Sequence, residues 1–209
     1  MNANTQRLVL DGPVGALSVA VDEPHPAPAA GLRGVAVICH PHPLHGGTMD
    51  NKVAQTLARA FLALGYRAVR FNFRGVGDSQ GQWDGGRGEV DDALAVIAAQ
   101  RLPGLPLALA GFSFGAYVAS QAGARLPPEA AAERLVLIGP ATVNFEVAAV
   151  PADTVVVHGE ADEVVPLQAT LDWARPQHLP VVVVPGVGHF FHGQLSLLKS
   201  IVTRAWHPA

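Results

Sequence analysis

Residues 105–115 read LPLALAGFSFG, and their pattern is the most informative in the chain about its class of fold. An apolar run over residues 105–111 passes into the helical spacing of residues 114–125 through a Gly-x-Ser-x-Gly arrangement, Gly111-Phe112-Ser113-Phe114-Gly115. Glycine is needed on both sides because the turn is sharp and pushes Ser113 out above the sheet. The stretch therefore predicts a strand, a tight turn and a helix. The Ser113 hydroxyl would lie at the helix N-terminus, where backbone N–H groups favour developing negative charge.

The same alternation of short apolar runs and longer helical patterns continues on both sides of this stretch, which is typical of βαβ units and a mostly parallel sheet. The further predicted strands are residues 35–40, 68–73, 134–138, 154–158 and 181–185. The further predicted helices are residues 51–64, 89–101, 167–174 and 194–206.

The N-terminal region has a different pattern. Two short runs, residues 7–10 and 17–21, flank the turn-rich segment 11–15, which suits an antiparallel hairpin at one edge of the sheet. The proline-rich segment 24–31, PHPAPAAG, is expected to be a surface loop. Together these patterns predict one α/β domain over residues 1–209, with eight strands and five helices.

Composition narrows the possible partners and locations. The 209 residues are 49% apolar and 15% charged, with a net charge of −3 and no cluster of basic residues, so no nucleic acid and no membrane is expected as a partner. Cys39 is the only cysteine, which excludes an intrachain disulfide. The N-terminus lacks the pattern of a secretory signal, and no apolar run approaches the roughly 20 residues of a membrane span. These features predict a cytoplasmic protein.

A serine nucleophile needs a base, and the base needs a carboxylate that holds its tautomer. Asp162 follows the predicted strand 154–158, with Glu160 and Glu163 as competing carboxylates. His189 follows the predicted strand 181–185, with His192 as the competing base. All of these groups would lie at the carboxyl edge of the sheet, where open α/β sheets place their sites.

Five motifs, taken in order, resemble the α/β-hydrolase superfamily along almost the whole chain, and most closely its small lidless bacterial members. They are His40-Pro41-His42-Pro43 with Gly46-Gly47 and Asn51-Lys52, then FNFRGVG at 71–77, GFSFG at 111–115, HGEADEVVP at 158–166 and GVGHFF at 186–191. The resemblance implies an α/β-hydrolase fold with helices on both faces of the sheet. It also implies Ser113 as nucleophile, His189 as base and Asp162 as the carboxylate that orients the base.

The oxyanion hole of such a site takes one N–H from the residue after the nucleophile, here Phe114, and one from the loop after strand 35–40. Pro41 and Pro43 have no N–H to donate. His42 is therefore the first choice for the second donor, and Leu44 is the alternative.

Three histidines within six residues, His40, His42 and His45, raise the alternative of a metal site. A serine triad has no need of zinc, so we expect these side chains to bond the backbone, with no metal and no cofactor. His158 is interpreted as a core histidine with its hydrogen bonds satisfied. Cys39 is interpreted as a buried apolar group.

The connection over residues 139–153 is too short for a lid domain. We therefore expect an open cleft near the triad, with Phe145 and Trp83 as additional wall residues. The residues expected closest to the triad are Leu44, Phe112, Phe114 and Phe190. Such a cleft suits a small-molecule ester or thioester of a short acid, cleaved through an acyl-enzyme.

Three other functions stay open. A peptidase or an acyltransferase would use the same triad, and a binding protein of this fold would show little turnover. A haloalkane dehalogenase is disfavoured because that branch has an aspartate where Ser113 stands. The mean hydropathy of +0.26 is on the apolar side for a monomer and suggests a homodimer.

Overall fold

A computed structural model describes residues 5–206, and these residues form eight strands and five helices. The strands are β1 (Gln6–Gly12), β2 (Gly15–Asp22), β3 (Gly34–Cys39), β4 (Tyr66–Phe71), β5 (Leu107–Phe112), β6 (Arg134–Ile138), β7 (Val155–Gly159) and β8 (Val181–Val184). The helices are α1 (Lys52–Ala63), α2 (Arg87–Gln100), α3 (Phe114–Arg125), α4 (Leu167–Ala174) and α5 (Leu195–Trp206).

All eight strands belong to one sheet with the order β1-β2-β4-β3-β5-β6-β7-β8. The β1–β2 and β2–β4 pairs are antiparallel and every other pair is parallel, which confirms the hairpin predicted at one edge. The loops that follow β3, β5, β6, β7 and β8 therefore leave the sheet at one carboxyl edge, and this edge carries the candidate site.

Helices cover both faces of the sheet. On one face α2, α3 and α4 contribute to an apolar cluster that includes Val90, Val118 and Ala174. On the other face α1 and α5 contribute Phe61, Leu198 and Trp206 to a second cluster. Every residue of β3 and of β5 is buried, as continuous apolar runs must be when both faces of a strand are covered.

The ends of several strands differ from the sequence-based prediction, and proline accounts for two of the differences. The strand predicted from residue 105 begins at Leu107, because Pro106 lacks the N–H that a ladder position requires. The strand predicted to include Pro185 ends at Val184 for the same reason. His40, expected as the last residue of its strand, lies one residue beyond β3.

The connection from β6 to β7 contains turns but no helix or strand over residues 139–153, so no lid is inserted there. Within residues 5–206, no helix combines the length and the apolar character that crossing a bilayer would demand.

Candidate active site

Ser113 occupies the turn between β5 and α3 with a left-handed φ of 56° and a ψ of −119°. Crowding explains the two flanking glycines: a Cβ on Gly111 would lie 2.1 Å from the Gly115 carbonyl oxygen, and a Cβ on Gly115 would lie 2.2 Å from that of Cys39. The Ser113 N–H donates to the Ile138 carbonyl over 2.8 Å, which ties the turn to β6. The predicted strand, turn and helix are thus present, and the serine is held in a backbone conformation that side chains rarely adopt.

Asp162 and His189 come together at the same edge of the sheet. The Nδ1 atom of His189 lies 2.6 Å from Oδ2 of Asp162, and both side chains are buried. An ionised carboxylate can only accept, so His189 donates through Nδ1–H and keeps Nε2 as the basic nitrogen. Asp162 therefore holds the histidine in the tautomer that a general base requires.

The turn after β7 holds the Asp162 carboxylate in place. The N–H groups of Val164 and Val165 donate to Oδ1 over 2.9 and 2.8 Å. Burial acts to raise the pKa of Asp162, but the hydrogen bonds from His189, Val165 and Val164 outweigh it and lower the pKa below its usual value. The carboxylate is thus kept ionised. Glu160 is turned away and accepts from the Gly186 N–H instead.

His158 lies directly behind Asp162 and is fully buried. Its Nε2 donates to the Val165 carbonyl oxygen over 2.9 Å and lies 3.4 Å from Asp162 Oδ2. Its Nδ1 has no hydrogen-bond partner in the described part of the chain. The expectation of a core histidine is right about burial and wrong about satisfied hydrogen bonds.

Ser113 and His189 line one cavity of about 280 Å³, which opens at the carboxyl edge of the sheet. Within residues 5–206 the Ser113 hydroxyl makes no hydrogen bond. Catalytic hydrogen bonds are often long in a free enzyme and shorten when substrate binds.

Four backbone N–H groups in the wall of this cavity have no acceptor among the described residues, those of His42, Phe114, His189 and Phe190. Phe114 directly follows Ser113, and His42 is the one that lies in the loop after β3. The Leu44 N–H is already engaged, because it donates to Nδ1 of His42 over 3.2 Å. The geometry thus favours His42 over Leu44 as partner of Phe114 in an oxyanion hole.

Aromatic rings form one wall of the cavity. The His42 ring lies 5.2 Å from that of Phe114 and 5.8 Å from that of Phe145, measured between centroids. Trp83 packs behind them, 4.7 Å from His42 and 5.1 Å from Phe114. Phe190 also lines the cavity, with 44% of its surface exposed.

Two residues expected to contact substrate are placed elsewhere. Phe112 is fully buried and packs against the His189 ring at 4.8 Å, because its side chain points into the α1–α5 face of the sheet. Leu44 is 66% exposed on a short 3-10 turn and does not line the cavity. Neither position fits the predicted contact with substrate.

Sequence reasoning did not assign several residues that do line the cavity. They come from the loops after β3, β6 and β7, and are His45, Asn51, Ala141, Asn144, Val164 and Val165. The sequence singled out His45 only as a candidate metal ligand and Asn51 only as part of a family motif. The other four follow predicted strands, and such a position cannot show where a side chain points.

His40, directly after β3, uses both ring nitrogens in contacts with backbone groups. Its Nε2 accepts from the Phe73 N–H over 3.2 Å, and its Nδ1 lies 2.6 Å from the Pro41 carbonyl oxygen. These bonds join the ends of β3 and β4 and require a neutral ring. No group of three or more potential metal ligands occurs within residues 5–206.

We expect His40 to make the protein less stable in acid. Burial lowers the pKa of His40 from 6.5 to about 4, and the Pro41 carbonyl opposes this shift only in part. In the unfolded chain His40 therefore becomes protonated near pH 6.5, whereas in the folded chain it stays neutral down to about pH 4. The free energy of unfolding should fall as the pH drops through this window, by about 3 kcal/mol in total.

Urea unfolding between pH 7 and pH 4 measures this slope. His40→Gln should flatten it, whereas His45→Gln, at an exposed position, should not. An unchanged slope in His40→Gln would contradict the assignment.

The sheet order and the strand–turn–helix at Ser113 define an α/β serine-hydrolase type of fold without a lid. Residues 33–148 match the family model described as serine aminopeptidase, S33, and the chain belongs to this family of the α/β-hydrolase superfamily. The matched residues include the turn at Ser113 and end before Asp162 and His189.

Solved structures agree with this family. A lidless α/β serine hydrolase from Xanthomonas campestris is 42% identical, with 100% of this chain and 98% of that chain covered and a TM-score of 0.88. An α/β serine hydrolase homologue from Coxiella burnetii is 38% identical over 97% of each chain, with a TM-score of 0.82.

A sequence relative matches only part of the chain. This relative, an uncharacterised protein of Rickettsia prowazekii, is 46% identical over 96 residues, and the match spans 44% of this chain and 40% of that relative.

Proposed function

We propose that the protein is a serine hydrolase that cleaves small carboxylic esters through an acyl-enzyme. The observation that carries the proposal is the 2.6 Å contact between His189 Nδ1 and Asp162 Oδ2 beside a cavity that Ser113 also lines. It leaves a basic nitrogen and a serine on a strained turn facing the same space.

In the proposed reaction Ser113 Oγ attacks the ester carbonyl while His189 Nε2 takes the hydroxyl proton. The N–H groups of Phe114 and His42 stabilise the oxyanion that forms. His189 then gives the proton to the leaving oxygen, and the acyl group stays on Ser113. Water, deprotonated by His189, attacks the acyl-enzyme, and the acid leaves as Ser113 recovers its proton.

The cavity supports a short acyl group. A volume of about 280 Å³ is at the lower end of the range for ligand pockets, and no lid extends it. Its aromatic wall suits an apolar acyl group, because no Asp, Glu, Lys or Arg lines it within the described residues.

The same lining argues against an aminopeptidase. Such an enzyme binds a protonated amine next to the carbonyl that it attacks, and a buried or half-buried ammonium needs a nearby anion. No carboxylate lines this cavity among the described residues, and Asp162, next to it, is already bound by His189. An ester with a neutral acyl group needs no such partner.

Hydrolysis of p-nitrophenyl esters from acetate to palmitate, with leucine p-nitroanilide in parallel, tests the proposal. We expect kcat/KM to be highest for acids of two to six carbons and to fall at least about 10-fold by palmitate, because a longer chain extends beyond the cavity. Faster cleavage of the anilide would favour the peptidase. No turnover of any ester, together with no labelling of Ser113 by a fluorophosphonate, would favour the binding protein.

A further inference from the structure

A second cavity, of about 480 Å³, lies directly beside the active-site cavity. Val164, His189 and Phe190 line both of them. The second cavity is otherwise bordered by the turn after β7 and by the segment from Pro185 to Gln194, which runs from β8 to α5.

An apolar ridge separates the two cavities. Val164 and Phe190 are 54% and 44% exposed although both are large and apolar. The Phe190 ring packs against the His189 ring on one side and the His192 ring on the other, with centroid distances of 5.0 and 5.7 Å. A molecule that crossed this ridge would contact both cavities at once.

The direction of proton transfer assigns a role to the second cavity. His189 must give its proton to the oxygen of the departing alcohol, so the alcohol has to lie against His189 when the ester bond breaks. The acyl group remains with Ser113, in the cavity with the aromatic wall. We propose that the second cavity, named here the leaving-group groove, holds the alcohol part of the ester; this assignment rests on the proposed function.

The leaving-group groove is bordered by polar and charged side chains, whereas the active-site cavity has an aromatic wall and, among the described residues, no Asp, Glu, Lys or Arg. Glu163, His192 and Gln194 are exposed there, and their side chains make no hydrogen bond or ion pair with other residues in the range 5–206. No Lys or Arg borders the groove in that range. A free carboxylate with no cation beside it attracts a positive group and repels a negative one.

The substrate class that fits both cavities is an ester of a short apolar acid with a cationic amino alcohol. The acid meets the rings of Phe114 and Phe145, and the ammonium group of the alcohol comes within reach of Glu163. Glu163 would thus determine specificity without taking part in the proton transfers.

The first test fills the leaving-group groove. Gln194→Trp adds an indole at its border and leaves the candidate triad untouched. We expect kcat/KM for choline butyrate and for its uncharged isostere, 3,3-dimethylbutyl butyrate, to fall at least about 10-fold, and kcat/KM for methyl butyrate to stay within about 2-fold. Gln6→Trp, on β1 at the opposite edge of the sheet, is the matched control and should change none of the three.

The second test removes the charge. Glu163→Gln should lower kcat/KM for choline butyrate by roughly 2- to 5-fold, the scale of an exposed ion pair, and leave the isostere unchanged. Glu129→Gln is the matched control, because Glu129 is exposed in the turn before β6, at the opposite end of the strands.

The outcomes separate this inference from the proposed function. In an acyl-enzyme reaction kcat/KM covers substrate binding and the steps up to departure of the alcohol, and it does not include deacylation. Because the acid is the same throughout, differences between the three esters come from their alcohol parts. If the protein hydrolyses methyl butyrate, but neither Gln194→Trp nor Glu163→Gln changes kcat/KM for choline butyrate relative to the other esters, the assignment of the leaving-group groove is wrong. The proposed esterase function would then still stand. Failure of the wild type to hydrolyse methyl butyrate would overturn both.

Discussion

Replacing Ser113 with alanine should lower kcat for hydrolysis of a short p-nitrophenyl ester by roughly 10⁴- to 10⁶-fold. The hydroxyl oxygen is the atom that forms the acyl-enzyme in the proposed reaction, and no other hydroxyl or thiol side chain lines the cavity among the described residues. Residual hydrolysis would come only from the oxyanion donors and from binding. Steady-state rates, together with mass spectrometry of a fluorophosphonate-treated sample, measure the effect.

Ser113→Gly is the matched variant for this experiment. It should lose the same activity, since it also lacks the hydroxyl. It should also unfold at a higher urea concentration than Ser113→Ala, because φ of 56° with ψ of −119° costs a side-chain residue about 1–3 kcal/mol that glycine largely avoids. Retention of more than a hundredth of the activity in both variants would contradict Ser113 as the nucleophile.

Replacing Asp92 with asparagine should reduce the free energy of unfolding by about 3–5 kcal/mol. Arg74 and Asp92 are both buried, and the guanidinium donates to the carboxylate through Nη2 over 2.8 Å and through Nε over 3.1 Å. The Arg74 N–H donates to the same carboxylate over 2.9 Å. The variant would leave a buried guanidinium without its counter-charge, and urea unfolding would measure the cost.

The neighbouring residue on α2 provides the control. Asp91 pairs with Arg125, but both side chains are about half exposed, so Asp91→Asn should cost no more than about 1 kcal/mol. The double variant Arg74→Met/Asp92→Leu should recover much of the loss, since an apolar pair often replaces a buried ion pair well. Equal effects of Asp91→Asn and Asp92→Asn would show that burial does not decide the contribution of these pairs.

The Arg74–Asp92 pair also shows why some structural roles could not be predicted. Arg74 directly follows the predicted strand 68–73 and lies in a turn in the structure. Its partner is 18 residues away on α2, and a Cβ on Gly88 would lie only 2.0 Å from the guanidinium. Nothing local to the RGVG segment specifies that contact.

The fold followed from the sequence because its signals are local. Apolar runs of β-branched residues, helical spacing and the glycines around Ser113 each act within about ten residues, so strands and helices could be counted without the structure. The predicted strand ends were wrong where the apolar run contained a proline, at Pro106 and at Pro185.

In the candidate site, too, local sequence predicts some features and misses others. Ser113, Asp162 and His189 stand in short motifs after strands, and parallel strands bring such positions to one edge of a sheet, so their approach could be expected. Phe112 and Leu44 also lie at that edge, but one side chain faces the core and the other faces solvent. Position after a strand predicts the edge and does not predict the direction of the side chain.

Periodicity and short motifs act locally along the chain, so they predict the class of fold, the order of its elements and the three members of the candidate triad. Other features could be seen only in the folded chain: Val164 and Phe190 lie between two cavities beside His189, and His158 packs against Asp162. The folded chain also shows that the N–H of His42 is free within residues 5–206 and that of Leu44 is not. Those features depend on contacts between loops far apart in the chain, and packing alone brings such loops together.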